Sequence, residues 1–268
     1  AGSYAYGTMI ELLKTHSFFV TKTIESCTLL ENQGYCNENY LVVADGIQYI
    51  VRKLLRDDID RAFEWKVQNL AYKQGITAEP LVFDEENGFM VFAFLEGEHK
   101  SLEVETSIPP KVKSQSIGGI TPQGIHYDKV SISKDDLKNL ATTLRKLHTI
   151  KIDAKPIELH IKNKTDEVLK AFKTIDKYPK NYVLCHNDLN PQNIFFTDEV
   201  KFIDWEYAGV NDRYFDLASI CVEFGLDTNM QGMFLKFYFE YDDFTVEKLE
   251  AYKVVYMVLC EEWLHNNP

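Results

Sequence analysis

The residues best able to do chemistry share one loop, Val183-Leu-Cys-His186-Asn187-Asp188-Leu-Asn190-Pro191-Gln-Asn193-Ile-Phe-Phe196. The spacing His186-x-Asp188-x4-Asn193 lets a carboxylate and a carboxamide face one point. A few residues on, the apolar pair Phe202-Ile203 ends in Asp204-Trp205-Glu206, two carboxylates at i and i+2. Phosphoryl transfer needs these parts: a carboxylate to accept a hydroxyl proton and aim the nucleophile, and oxygen ligands to hold Mg²⁺ against nucleotide phosphates. Asp188 is the candidate base, and Asn193 and Asp204 are the candidate metal ligands. A polar turn that satisfies its own backbone would account for the loop alone. It would not account for an apolar strand ending in Asp204 close behind.

For these side chains to converge, strands must hold the loop. Short apolar strands lead into it at Val183 and out of it at Ile194. Upstream, Asn39–Ala44 and Gln48–Leu54 flank the turn Ala44-Asp45-Gly46 and predict a hairpin. Over 58–74, Ala62, Trp65, Leu70 and Ala71 recur near helical spacing, with Gly75 where a C-cap belongs. Two more strands are expected at 80–83 and 89–95, split by a turn over 84–88. A short helical pattern covers 9–15. Residues 100–132, rich in Ser, Pro, Gly and Lys, read as a linker or insertion. Ser133 with Asp136 predicts a capping box. The helix it opens carries Leu137, Leu140, Ala141, Leu144, Leu147 and His148 on one face. A further helix is expected over 164–176, and 215–264 is mostly helical. The expected class is α+β, with a small β-rich N-terminal lobe over 1–95 and a larger, mainly α-helical lobe over 96–268.

Composition narrows the partners. The chain of 268 residues holds 29 lysines and arginines against 41 acids, a net charge of −12. That balance disfavours nucleic acid, which needs a basic face, and suits a small cationic ligand. No apolar run reaches the roughly 18–20 residues of a membrane span. No basic segment leads into an apolar core at the N-terminus, and five cysteines without a CxxC pair suit reduced thiols. A cytoplasmic location is the expectation.

The motif His-x-Asp-x4-Asn followed by Ile203-Asp204-Trp205-Glu206 resembles the protein-kinase-like small-molecule kinases, the aminoglycoside phosphotransferase and choline kinase superfamily. Phe202-Ile-Asp204-Trp-Glu206-Tyr207-Ala, then Phe215-Asp216-Leu-Ala-Ser-Ile-Cys-Val-Glu223, is similar to the extended signature of the choline/ethanolamine kinase family, bacterial choline kinases included. The resemblance implies a protein-kinase-like bilobal fold and an enzyme that uses ATP and Mg²⁺ to phosphorylate an alcohol. It also implies nucleotide contacts. Gly34-Tyr-Cys-Asn37-Glu-Asn39 resembles the loop over the phosphates, with one glycine fewer than usual. Arg52 stands where the family places a phosphate-pairing base, Glu64 would anchor it, and the backbone of Ala93, Phe94 and Leu95 would meet adenine.

On the acceptor side the resemblance implies Glu206 and Glu223 as acids, Asn190 as a polar neighbour, and Tyr207 as an aromatic face. Choline kinases usually present two tryptophans one turn apart on the C-terminal helix. Here Tyr256 stands at the first place, Leu259 at the second, and Trp263 is the tryptophan nearby. A quaternary ammonium is held by aromatic faces and carboxylates, whereas ethanolamine can be held by carboxylates alone. Choline is the expected acceptor, with ethanolamine and thiamine open, then aminoglycosides. A non-catalytic pseudokinase is the reading from another class. Asp216 and His186 are expected to scaffold the loop, and His148 to pack in the core.

Overall fold

The computed structural model describes residues 2–30, 37–100 and 132–266. The chain forms two compact units, Ala1–Tyr72 with Ala78–Glu96, and Lys73–Thr77 with Gly97–Pro268. The expected turn around Gly34 and almost all of the 100–132 insertion lie outside the described residues.

The first unit is an antiparallel sheet of β1 (Ile24–Leu29), β2 (Asn37–Ala44), β3 (Ile47–Leu54), β4 (Pro80–Asp84) and β5 (Phe89–Ala93), ordered β1-β2-β3-β5-β4, with helices α1 (Gly2–Thr15) and α2 (Arg61–Lys73). The expected hairpin is β2–β3. Asp45 and Gly46 both have positive φ, 51° and 76°, which a two-residue turn matching strand twist requires. Along β5, Phe89 and Val91 join one core with Met9, Leu13, Phe19, Tyr40, Val42 and Val51, while Met90 and Phe92 join another with Ala78, Trp65 and Leu95. Alternate residues point to opposite faces, so a strand covered on both reads as a continuous apolar run. Strand β1 was not expected. It is an edge strand in which only Cys27 is buried, so its pairing with β2 leaves no alternation to read. The helix expected over 9–15 is longer, and the strand expected to reach 95 stops at Ala93.

The second unit is mainly helical: α3 (Lys134–His148), α4 (Asp166–Ile175), α5 (Arg213–Glu223), α6 (Thr228–Phe239) and α7 (Val246–Asn266). The capping box is present in full: Ser133 Oγ accepts from the Asp136 amide at 3.1 Å, and Asp136 Oδ2 accepts from the Ser133 amide at 2.8 Å. The predicted face of α3 is buried, and α5 and α7 pack side by side. Four short strands carry the functional loop: β6 (Tyr182–Cys185) pairs with β9 (Gly209–Asp212), and β7 (Ile194–Phe196) with β8 (Val200–Phe202).

Candidate active site

Strand β6 delivers His186, Asn187 and Asp188 into a loop that closes with a 3₁₀ turn, Pro191–Asn193. Asn190 caps this turn, its Oδ1 accepting from the Gln192 amide at 3.0 Å, while its Nδ2 donates to Asp188 Oδ1 at 3.2 Å. From the other end of the turn, Asn193 Nδ2 donates to the Asp188 carbonyl at 2.8 Å and to Asp188 Oδ2 at 3.2 Å. Two amides therefore aim one carboxylate. The base candidate and one metal-ligand candidate are in direct contact.

The loop is anchored from beneath. His186 Nε2 lies 2.8 Å from the Ile203 carbonyl, which can only accept, so Nε2 carries the proton and Nδ1 accepts from the Asp188 amide at 3.1 Å. Burial holds this imidazole below its ordinary pKa. With Nδ1 occupied and Nε2 committed, His186 shapes the loop and is not placed to abstract a proton. Asp216, fully buried on α5, accepts from the amides of His186 and Asn187, both at 3.0 Å, and from His148 Nε2 at 2.9 Å. Burial alone would raise the Asp216 carboxyl. The hydrogen bond and charge of His148, the field of His186 and the Asn187 amide outweigh it and hold the group below the usual carboxylate range. His148 is buried as expected. It also links Asp216 to Tyr238 Oη, 2.6 Å from its Nδ1, which Arg213 Nη1 supports at 2.9 Å. Cys185 Sγ lies in the same cluster, and burial pushes its thiol far up.

Strand β8 ends just before Asp204. Trp205 is fully buried, its Nε1 donating to Thr77 Oγ1 at 3.0 Å and its ring 4.8 Å from that of His186. Asp204 holds φ +65°, a left-handed conformation that a non-glycine residue adopts at some strain. At Asp188, burial and then the fields of Asp204, Glu206 and Glu223 push the carboxyl well above the ordinary value.

The sequence pattern of the phosphotransferase enzyme family matches residues 29–252, most of the chain. The chain belongs to that family. Among relatives, the LicA protein of Haemophilus influenzae is 25% identical over 211 residues, 76% of this phosphotransferase and 60% of LicA. The crystal structure of choline kinase LicA from Streptococcus pneumoniae superposes with a TM-score of 0.70 at 22% identity, covering 97% of this phosphotransferase and 91% of that chain. A structure of LicA in complex with AMP gives 0.62 at 22% identity, covering 97% and 90%. The fold is therefore α+β in the manner of the choline kinases, with a five-stranded antiparallel sheet and a helical C-terminal part.

Glu223 ends α5 and is buried, and Tyr256 on α7 donates its hydroxyl to Glu223 Oε1. Burial is the main cause that raises the Tyr256 phenol, with Cys260, Glu223 and Asp188 adding to it. Glu206, Glu223 and Tyr256 are thus brought into the electrostatic neighbourhood of Asp188. Tyr207 is half-buried, and its backbone carbonyl accepts from Asn187 Nδ2 at 3.0 Å. Trp263 is half-buried near the end of α7.

In the first unit, Arg52 projects from β3 toward the α2 face, together with Ile50 and Leu54. Its Nε donates to Asn39 Oδ1 at 3.1 Å, its Nη1 lies 3.8 Å from Glu64 Oε2, and its guanidinium sits 5.2 Å from the Phe92 ring centre. Glu64 is shared with Arg61 Nη1 at 2.8 Å, a second cation that sequence reasoning did not consider. Asn37 is buried at the start of β2. Ala93 donates its amide to the Glu79 carbonyl at 2.9 Å, Phe94 is exposed, and Leu95 packs against the Ala78 cluster. Sequence reasoning also passed over Thr77 and His99, which touch the site's scaffold. No spacing marks either, since each meets its partner only in three dimensions.

Proposed function

We propose that this phosphotransferase moves the γ-phosphoryl group of ATP to the hydroxyl of a small cationic amino alcohol, with choline, giving phosphocholine, as the first acceptor. The observation that carries the reading is the raised Asp188 carboxyl beside Asp204, Glu206 and Glu223. Such crowding is unfavourable alone and favours cations: a divalent metal on one side and an ammonium head on the other. Likeness to a protein named choline kinase LicA supports the same acceptor class.

The donors fit Mg²⁺. They are hard oxygens, and with Asn193 Nδ2 turned to Asp188, its Oδ1 is left for a metal, alongside Asp204. Bound there, Mg²⁺ would supply charge neutralisation on the phosphate oxygens. Arg52, held by Asn39 and Glu64, is the proposed second cation for the phosphates, with Asn37 and Asn39 beside them and the backbone of Ala93, Phe94 and Leu95 for adenine. Asp188 orients the acceptor hydroxyl through its two amide-fixed oxygens and takes its proton as the phosphoryl group transfers in line. Cations held there would lower its pKa toward the range where it is ionised, and so would form the base. Positioning and electrostatics then supply most of the acceleration.

Glu223 and Glu206 are the proposed counter-charges for the acceptor's nitrogen, with the Tyr256, Tyr207 and Trp263 rings and Asn190 around it. The Tyr256–Glu223 hydrogen bond favours one second reading, ethanolamine, because it strengthens a carboxylate site in place of an aromatic face. An ADP-coupled assay with choline, ethanolamine, thiamine and kanamycin tests the proposal. The expected result is the highest kcat/KM for choline. Turnover of kanamycin alone would refute the amino-alcohol reading, and nucleotide binding with no turnover of any alcohol would identify a pseudokinase.

A further inference from the structure

The 3₁₀ turn that presents Asn193 is gripped by a side chain outside the catalytic motif. His99 Nδ1 lies 2.9 Å from the Ile194 carbonyl and 3.1 Å from the Pro191 carbonyl. Carbonyl oxygens only accept, so Nδ1 carries the proton and one N–H is shared between the two residues that bracket Gln192 and Asn193. The imidazole also lies 4.2 Å from the Phe195 ring centre.

The placement follows from strand geometry. Phe196 exchanges both backbone hydrogen bonds with Glu98, amide to carbonyl at 2.7 Å and carbonyl from amide at 2.9 Å. Alternate residues of an antiparallel strand turn their amides and carbonyls to the same edge. Ile194, two residues earlier on β7, therefore presents its carbonyl on the edge where Glu98 lies. Among the described residues no backbone amide continues the ladder to Ile194, and the His99 side chain meets its carbonyl. The segment is held on both sides. A Cβ at Gly97 would come within 2.7 Å of Thr197 Cγ2, and Lys100 Nζ binds Asp136 Oδ2 at 2.6 Å.

We infer that His99 is a positioning residue for phosphoryl transfer: through its shared Nδ1–H it sets the pitch of the Pro191–Asn193 turn, and so the direction of the Asn193 carboxamide. It acts through Asn193 and touches neither substrate nor metal. The inference rests on the proposed role of Asn193 as a metal ligand.

The test measures Mn²⁺ binding to the full chain by electron paramagnetic resonance, with a non-hydrolysable ATP analogue present, in wild type, His99→Phe, His99→Ala, His99→Asn and Asn193→Ala. Phenylalanine keeps ring packing but has no donor, and asparagine places an N–H at the same distance from the backbone as Nδ1. His99→Phe and His99→Ala are expected to weaken Mn²⁺ about fivefold, the scale of one hydrogen bond. His99→Asn should stay within about twofold of wild type for the same reason. Should His99→Ala fail to fold, His99→Phe still decides the matter. Wild-type Mn²⁺ binding in His99→Phe alongside loss in Asn193→Ala would overturn this inference alone. Equal weakening in His99→Asn and His99→Phe would also overturn it, by reducing His99 to packing. Wild-type binding in Asn193→Ala would bring down the metal-ligand role itself.

Discussion

Removing Asp216 should loosen the candidate catalytic loop without touching the proposed base or metal ligands. Its carboxylate accepts three hydrogen bonds inside the protein, from His148 Nε2 and the amides of His186 and Asn187. Asp216→Ala leaves two buried amides and an imidazole donor without their acceptor. Each of the three stranded donors costs about 1–3 kcal/mol, about 3 kcal/mol together at the least. A total of about 4 kcal/mol, close to that minimum, lowers the melting temperature of a protein of this size by about 8–16 °C. Asp216→Asn retains one acceptor oxygen, and neutral His148 can shift its proton to Nδ1, so about half that loss is expected. The assay is calorimetric melting together with amide hydrogen exchange at His186 and Asn187, which should lose protection in the alanine variant. The pH dependence carries the same signature. Asp216 and His148 both lie below their ordinary values when folded. The folded state therefore binds fewer protons than the unfolded one, and their contribution is lost as pH falls below about 6.5, the ordinary histidine value. Asp216→Ala should remove the part of that slope below about 3.8, the ordinary aspartate value, and leave the histidine part, which burial sets and Asp216 opposes. Unchanged exchange at both amides, with a melting temperature within about 2 °C of wild type, would refute the anchoring argument.

Three further outcomes are expected. Asp188→Asn should abolish turnover yet raise the metal-free melting temperature: the folded carboxyl lies above its unfolded value, so its contribution is present at low pH and lost as pH rises, and the gain should be large at pH 8 and small near pH 4. Tyr256→Phe should raise the acceptor KM by about tenfold, the scale of one lost hydrogen bond to a buried carboxylate, with kcat little changed in steady-state kinetics. Cys27 and Cys221 are buried, with thiols pushed up to about 11 and about 12, so iodoacetamide at pH 8 should label them only after unfolding, as peptide mass spectrometry would read.

The particular elements explain what could be read in advance. The β2–β3 hairpin, the capping box at Ser133 and the buried face of α3 rest on turn chemistry and local periodicity, so a linear chain displays them. Strand β1 is an edge strand whose existence depends on β2, and no local pattern carries that dependence. The contact of Asp188 with Asn193 was legible because both belong to one short loop.

By itself, then, the sequence determined the candidate groups and the chemistry they suit, since residue type and short-range spacing decide which side chains one loop can gather. Only the tertiary structure decided their electrical state. Glu223 and Asp204 lie 35 and 16 positions from Asp188 along the chain, yet their fields reach it. Folding also decided the hidden supports, Asp216 under the loop, Thr77 on Trp205 and His99 on the turn. Field and hydrogen bond depend on distance through space, and only folding sets that distance.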